Sequence, residues 1–330
     1  MSLVAATLQA FEGAPLPDPV RKAAIQFLVS GARRQAAGAG RDADARFAAE
    51  MAARPIAEHT DAANAQHYEV PAAFFQACLG PKLKYSSCLY APGESLAQAE
   101  DRALAETCAH ADLADGQRIL ELGCGWGSLS LWMAQAYPNA RITSVSNSAS
   151  QRAFILARAQ ERGLGNLEVI TCDMNDFQTD QAFDRVVSVE MFEHMANWRA
   201  LLTRVHGWLK PDGRLFIHIF THRASPYRFD IDDEADWIAQ HFFAGGVMPS
   251  HGLMRQFPDL FAVEQDWRWS GTHYEKTALH WLENMDRNDA IVRPVLSETY
   301  GDQAVLWRRR WRLFFLATAG LFGHRGGEEW

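Results

Sequence analysis

Residues 117–130, QRILELGCGWGSLS, decide the fold. Arg118-Ile119-Leu120-Glu121-Leu122 is an apolar run carrying one carboxylate, and it predicts a buried strand. Gly123, Gly125 and Gly127 follow at alternate positions, and a helical pattern through Leu129, Leu131, Trp132 and Met133 begins at once. Glycines at this spacing let the chain turn sharply and bring its backbone against a ligand where a Cβ would clash. The helix that opens behind them offers unpaired N–H groups to an anionic ligand group. A dinucleotide fingerprint has the form G-x-G-x-x-G, whereas this loop is G-x-G-x-G preceded by an acidic residue. That variant suits S-adenosylmethionine, whose ammonium group is matched by Glu121. The alternative is a tight strand-to-helix turn that holds no ligand.

Outward from this loop, strands are expected at 141–146, 167–172, 185–189 and 214–220, with helices near 127–137, 149–162 and 197–208. Such alternation implies an α/β, doubly wound, mostly parallel sheet with right-handed crossovers. Lys210-Pro211-Asp212-Gly213 predicts a β-turn ahead of the fifth strand. Residues 1–60 are Ala-rich and read as a helical N-terminal appendage with a joint near 36–42; residues 61–330 form the main domain. Within 65–110, Tyr68, Phe74, Phe75 and Leu79 fall at helical spacing, and a further helix starts near Leu96. From about 221 to 300, helices are expected to cap the site, with one strand-like run, LFAVEQDWRW, at 260–269.

The composition narrows the function. A formal charge of −8 and a pI near 5.8 argue against a nucleic-acid footprint, which needs a basic face. Five irregularly spaced cysteines without a CxxC suggest reduced thiols rather than a disulfide framework or a metal site. The first residues lack the features of a signal peptide, and no apolar run reaches membrane-spanning length. A soluble cytoplasmic protein without stable membrane insertion is expected; a homodimer is compatible with the sequence, which does not fix the oligomeric state. The stretch 307–322, WRRRWRLFFLATAGLF, fits either a membrane-surface helix or a terminal helix docked on the core, and the second is favoured.

In an open parallel sheet the ligand lies over the carboxyl ends of the strands. The second strand ends at Ser146, followed by Gln151, which replace an acidic residue as partners for ribose hydroxyls. After the third come Asp173 and Met174, suited to an adenine amino group and ring; a helix cap is the alternative for Asp173. The fourth runs into Glu190, Glu193 and His194, which share a face if the segment is helical and form a coupled base. An exposed polar turn is the plainer reading. His218 sits inside the apolar fifth strand, either as a satisfied core residue or as a member of the site.

These residues carry a resemblance. QHYEVPAAFF, LKYSSCLY, ELGCGWGSLSL, VSNSASQ, VEMFEHM, FFAGGVMPS, SGTHYEKTALHWLENMD and LFGHRGGEEW together resemble the cyclopropane-fatty-acid synthase family of S-adenosylmethionine-dependent methyltransferases, in its coclaurine N-methyltransferase-like branch. The resemblance spans roughly residues 60–330 and implies a class I, Rossmann-like methyltransferase fold. It implies cofactor contacts at Tyr85, Ser86, Glu121, Gly123, Gly125, Ser146, Gln151, Asp173 and Met174. In the cyclopropane-forming branch a bicarbonate is held at positions that match Ser87, Glu193, His218 and Tyr274. Here the expected cysteine is Ser87, with Cys88 one residue later, and the usual glycine is Glu190. Both departures agree with the N-methyltransferase branch, where the residues matching Glu193 and His194 act on the substrate amine. Relatives continue past the Trp330 position with a short strand that completes the sheet, so either the sequence is cut short there or the sheet is closed differently.

The implied activity is methylation of a small-molecule acceptor, an arylalkylamine or tetrahydroisoquinoline-like amine. Catalytic candidates are Glu190, Glu193, His194, His218 and Tyr274, and no metal is called for. Trp237, Phe242, Phe243, Trp267, Tyr274 and Trp281 are candidates for an apolar acceptor wall, though most are expected to be core. The alternative acceptor is an alkene in a fatty acyl chain. A non-catalytic cofactor-binding protein fits less well, and a nicotinamide oxidoreductase is opposed by the glycine spacing and the missing ribose-binding acid.

Overall fold

A computed structural model describes residues 11–14, 16–38, 40, 42–58, 70–233 and 236–330. Tyr68 and the start of the QHYEVPAAFF string lie outside the described residues, as do residues 1–10. In chain order the elements before the sheet are α1 (Asp18–Ala37), α2 (Ala43–Met51), α3 (Ala72–Cys78) and α4 (Leu96–His110). The alternating core follows: β1 (Arg118–Leu122), α5 (Ser128–Ala136), β2 (Arg141–Ser146), α6 (Ala149–Glu161), β3 (Leu167–Thr171), β4 (Phe183–Val189), α7 (Trp198–Trp208) and β5 (Leu209–His218). Beyond it lie a short antiparallel pair, β6 (Tyr227–Arg228) with β7 (Val247–Met248), and the helices α8 (Trp237–His241), α9 (Gly271–Arg287), α10 (Asp289–Tyr300) and α11 (Ala304–Phe322).

The five main strands are all parallel, in the order β3-β2-β1-β4-β5, so the order reverses beside β1. Alternation along β1 explains why both faces are covered. Ile119 packs with Leu104, Cys108, Leu129 and Met133 of α4 and α5, whereas Leu120 and Leu122 pack with Leu201, Leu202 and Val205 of α7 and Phe47 and Met51 of α2. A parallel strand with helices on both faces reads as a continuous apolar run, which is what RILEL is. A third apolar layer joins α3, α9 and α11 through Phe74, Phe75, Trp281, Trp311 and Phe315, and Ile25 and Val29 of α1 belong to it.

Two sequence expectations fail here. The Lys210–Gly213 turn does not precede β5 but interrupts it: Leu209 pairs with Phe183 and the next partners are Arg214 and Arg185, leaving the intervening residues bulged out of the ladder. Pro211 has no N–H to give to a ladder, which favours this excursion. The run 260–269 forms no strand. Its aromatic residues are committed to side-chain contacts instead, Trp267 stacking on His110 at 3.9 Å and Trp269 meeting His218 edge-on at 4.5 Å.

The arginine cluster of α11 is docked, as its plainer reading expects. Arg308 pairs with Asp289 at 2.6 Å, Arg310 with Glu12 at 2.7 Å, and Arg312 with both Asp18 and Asp286, while Trp311, Phe315 and Phe322 are buried. Among the described residues no helix is long and apolar enough to cross a membrane. The five cysteines form no disulfide, and four of them are buried.

Candidate active site

The loop after β1 behaves as its glycines require. Gly123, Gly125 and Gly127 have φ of 79°, 50° and 79°, a region that side chains rarely enter. A Cβ on Gly123 would meet Met191 at 2.5 Å, whereas one on Gly125 would meet nothing within 4 Å. Gly125 therefore stands at open space, on the wall of a cavity of about 200 Å³ over the strand ends. All of the positions named above for the cofactor line this cavity: Tyr85, Ser86, Glu121, Gly123, Gly125, Ser146, Gln151, Asp173 and Met174. Glu190, Glu193, His194 and Tyr274 line it too.

Glu121 sits opposite Ser144 in the sheet register, and its Oε2 accepts from Ser144 Oγ at 2.7 Å and from Ser130 Oγ. Burial pushes its carboxyl up, against the pull of the two hydroxyls. Ser146 Oγ donates to Gln151 Oε1 at 2.7 Å, and Ser148 caps α6, so the end of β2 is locked onto the following helix. Asp173 Oδ1 accepts from Asn175 N at 2.7 Å; the residue stabilises its own turn while facing the cavity.

The acidic segment after β4 is not one helical face. Glu190 adopts a left-handed φ of 48°, and only Phe192–His194 form a single 3₁₀ turn. A glutamate at such a φ is strained, and strain persists where the surroundings over-determine it. Those surroundings are specific: the Glu190 N–H donates to His218 O at 2.8 Å, Oε1 accepts from Ser87 N at 2.9 Å, and Oε2 accepts from Tyr274 OH at 2.8 Å. Glu193 is 1% exposed, and its Oε2 has no hydrogen-bond partner among the described residues. Burial, then the neighbouring Glu190, holds the Glu193 carboxyl well above the usual carboxylate range. His194 packs against Phe243 in a tilted arrangement, with ring centroids 4.4 Å apart.

His218 does not line the cavity but a larger groove of about 1300 Å³ along the edge of β5, which Ser87, Glu190 and Tyr274 also line, and its ring meets Trp269 there. Desolvation, with Lys84 and His110 nearby, pulls its pKa down to about 3, so the imidazole is neutral. Of the proposed aromatic wall, Phe243 and Tyr274 reach the cavity, joined by Phe220 and Phe314. Phe242 and Trp281 are core, and Trp237 donates to Glu12. Sequence reasoning passed over Lys84, which is 3% exposed at the cavity wall, because burial is the exception for lysine. A lysine two residues before Ser86 was the only signal.

The residues fit S-adenosylmethionine. The loop leaves open space at Gly125, and two buried donors on the cavity wall, Trp126 Nε1 and Ser128 Oγ, lack partners among the described residues. A doubly wound sheet whose reversal point carries this cradle defines an S-adenosylmethionine-dependent methyltransferase of class I. The chain belongs to the mycolic acid cyclopropane synthetase family, whose sequence pattern matches residues 57–326. Over 282 residues it is 36% identical to (S)-coclaurine N-methyltransferase of Thalictrum flavum subsp. glaucum, covering 83% of this chain and 78% of that protein. It is 30% identical over 268 residues to the cyclopropane-fatty-acyl-phospholipid synthase of Escherichia coli K12, covering 80% of this chain and 65% of that one. Among solved structures, a coclaurine N-methyltransferase bound to N-methylheliamine and S-adenosylhomocysteine superposes with a TM-score of 0.94 at 30% identity, covering 100% of this chain and 97% of that one.

Proposed function

We propose that this methyltransferase acts on the nitrogen of a small aromatic amine, of arylalkylamine or tetrahydroisoquinoline type, with Glu193 and His194 as the proton-accepting pair. The observation that carries the reading is the Glu190 carboxylate held between Ser87 N–H and Tyr274 OH, beside the unpartnered Glu193 Oε2. Glu190 and the Oε2 of Glu193 offer acceptors for an ammonium guest at one wall, and Phe220, Phe243 and Phe314 suit an aromatic body attached to it. The N-methyltransferase relatives agree with this choice of acceptor.

When bound, S-adenosylmethionine supplies a methyl group on a sulfonium centre. Glu121 would face its ammonium group, Ser146 and Gln151 its ribose hydroxyls, and Asp173 and Met174 its adenine, with Tyr85 and Ser86 closing the far side. The chain's own work is to orient and to move a proton. An amine is mostly protonated at neutral pH and is not nucleophilic until that proton leaves. Glu193, whose affinity for a proton is raised by burial, is matched to accept it, directly or through His194. Glu190, its carboxyl raised by burial but its two oxygens bonded by Ser87 N–H and Tyr274 OH, would stabilise the cation. Holding the freed nitrogen against the aromatic wall then supplies proximity and orientation.

The fatty-acyl alternative requires a bicarbonate among Ser87, Glu193, His218 and Tyr274. Glu190 already bonds two of these four, Ser87 and Tyr274, so the protein's own carboxylate stands where that anion is expected. The division into a helical segment over 1–60 and a catalytic body over 61–330, capped from about 221 to 300, belongs to the same proposal; Phe243, Ala244 and Tyr274 of the cap line the cavity. The test is methyl transfer from labelled S-adenosylmethionine to secondary and tertiary arylalkylamines beside unsaturated phospholipid vesicles, with and without bicarbonate. Label on an amine, indifferent to bicarbonate, is expected. Label in the lipid that rises with bicarbonate overturns the proposal.

A further inference from the structure

We infer that Lys84 is a positioning residue: its ammonium fixes the Ser86–Ser87 segment on which the Glu190 carboxylate is seated, and so links the cofactor side of the cavity to the acceptor side. This rests on the amine-methylation reading only for its kinetic consequence. Lys84 Nζ donates to Ser86 Oγ at 2.5 Å and to Ser87 O at 2.6 Å. Short bonds from an ammonium to two oxygens are charge-assisted and geometrically demanding. The next link is the Ser87 N–H, which donates to Glu190 Oε1 at 2.9 Å. The ammonium thus binds the carbonyl side of Ser87 while the amide side of the same residue binds the carboxylate.

The lysine is itself held from behind. Glu100 of α4 is fully buried and accepts from Lys82 N at 2.9 Å and Lys84 N at 3.1 Å, one carboxylate oxygen for each. Gly80 lies directly under that carboxylate, since a Cβ there would come within 2.4 Å of it. Glu100, Lys84, Ser87, Glu190 and Tyr274 therefore form one buried polar chain from α4 to α9. Such a chain is costly unless every member is satisfied, and rigid when it is.

The charges around Lys84 come from several elements. Desolvation pulls the Lys84 pKa down, while Glu190 after β4 and Glu100 on α4 favour the ammonium; the Cys88 thiol beside it, pushed up to about 12 by burial, is neutral. His218 on β5 feels it as a neighbouring cation. Glu190 in turn faces Lys84, the Ser87 amide, Tyr274 and Glu193; burial raises its carboxyl on balance, and Lys84 is the largest influence acting against that rise. Among the described residues the lysine forms no surface ion pair, and its ammonium bonds run to Ser86 and Ser87, the segment on which Glu190 is seated.

The test is a double-mutant cycle in the full-length protein with Lys84→Met, which keeps an aliphatic stem of similar length, and Glu190→Gln. Lys84→Met is expected to lower kcat/KM for an arylalkylamine about tenfold to a hundredfold, the rate equivalent of one charge-assisted hydrogen bond. In the Glu190→Gln background the same change should cost no more than about threefold. Equal losses in both backgrounds would make Lys84 merely structural and overturn the inference. An activity-independent arm separates this outcome from failure of the amine reading. Infrared difference spectra should show Glu190 as a carboxylate in wild type and as a protonated acid in Lys84→Met, with that acid band gone in the double variant. An unchanged carboxylate signal in Lys84→Met overturns the inference whether or not any amine is methylated. Should Lys84→Met fail to fold, Ser87→Pro removes the Ser87 N–H link, together with the Oγ bond to Cys88 O that Ser87→Ala removes by itself; retention of full activity by Ser87→Pro also overturns it.

Discussion

Two stretches at the mouth of the sheet place backbone in the left-handed region, and they do so for opposite reasons. After β1 the residues are Gly123, Gly125 and Gly127, for which that conformation is inexpensive. After β4 it is Glu190, for which it is strained and is held by a carbonyl, an amide and a phenol from three other segments. The first stretch is shaped from within and makes room; the second is shaped from outside and fills room. A glycine loop can therefore be recognised in isolation, whereas the seat of a carboxylate is visible only when its partners are in place.

The sharpest way to break the contrast is Gly125→Val. It puts a branched side chain into open space at a φ of 50°, and calorimetric binding of S-adenosylhomocysteine should be lost; retained binding would mean that the loop is not the cradle. Glu193→Ala and His194→Ala should each lower kcat about a hundredfold to ten-thousandfold while leaving S-adenosylhomocysteine affinity near wild type. A loss of binding would instead make this turn structural. Because Glu193 must be deprotonated to accept a proton and its carboxyl is raised, the acid limb of kcat/KM in wild type should lie above the ordinary carboxylate range. Next in size is Glu190→Gly, which gives the second stretch the residue of the first. Turnover should fall about tenfold to a hundredfold, the worth of a charged hydrogen-bonded group. Added bicarbonate should restore part of it, and wild type should ignore bicarbonate.

The smallest effect is on stability. Burial lifts the Glu100 carboxyl from 4.5 to about 7. The folded state then binds more protons than the unfolded chain across that interval, so the contribution is complete below 4.5 and is lost as pH rises through about 7. Its size is on the order of 3 kcal/mol. Urea titrations should show this decline in wild type and its absence in Glu100→Gln; parallel profiles would show that Glu100 does not titrate there.

Much of this was legible because it is local. RILEL, the glycine spacing and the helix patterns lie within a few residues of what they specify, and the strand bounds at 118–122 and 141–146 match the structure. What escaped depends on distant partners. LFAVEQDWRW has strand-like composition, but Trp267 and Trp269 are drawn onto His110 and His218. Glu190, Glu193 and His194 meet at the cavity through a left-handed residue and one tight turn rather than through helical periodicity. His218 ends the right strand yet faces the outer groove. Lys84 carries no signal of burial, because what covers it includes Glu100 on α4 and Glu190 after β4, far from it in sequence.

The docked arginines of α11 bear on the order of events during synthesis. Arg310 bonds Glu12 and Arg312 bonds Asp18, partners 298 and 294 residues earlier in the chain. Closing loops of that length costs conformational entropy before any contact repays it. Tyr274, which seats Glu190, stacks on Phe322 at the end of the same helix, with ring centroids 4.4 Å apart. A nascent chain emerging from the ribosome would thus form its glycine loop and central strands early and remain without a finished acceptor wall until its final helix arrived, so competence to hold the cofactor should precede competence to turn it over.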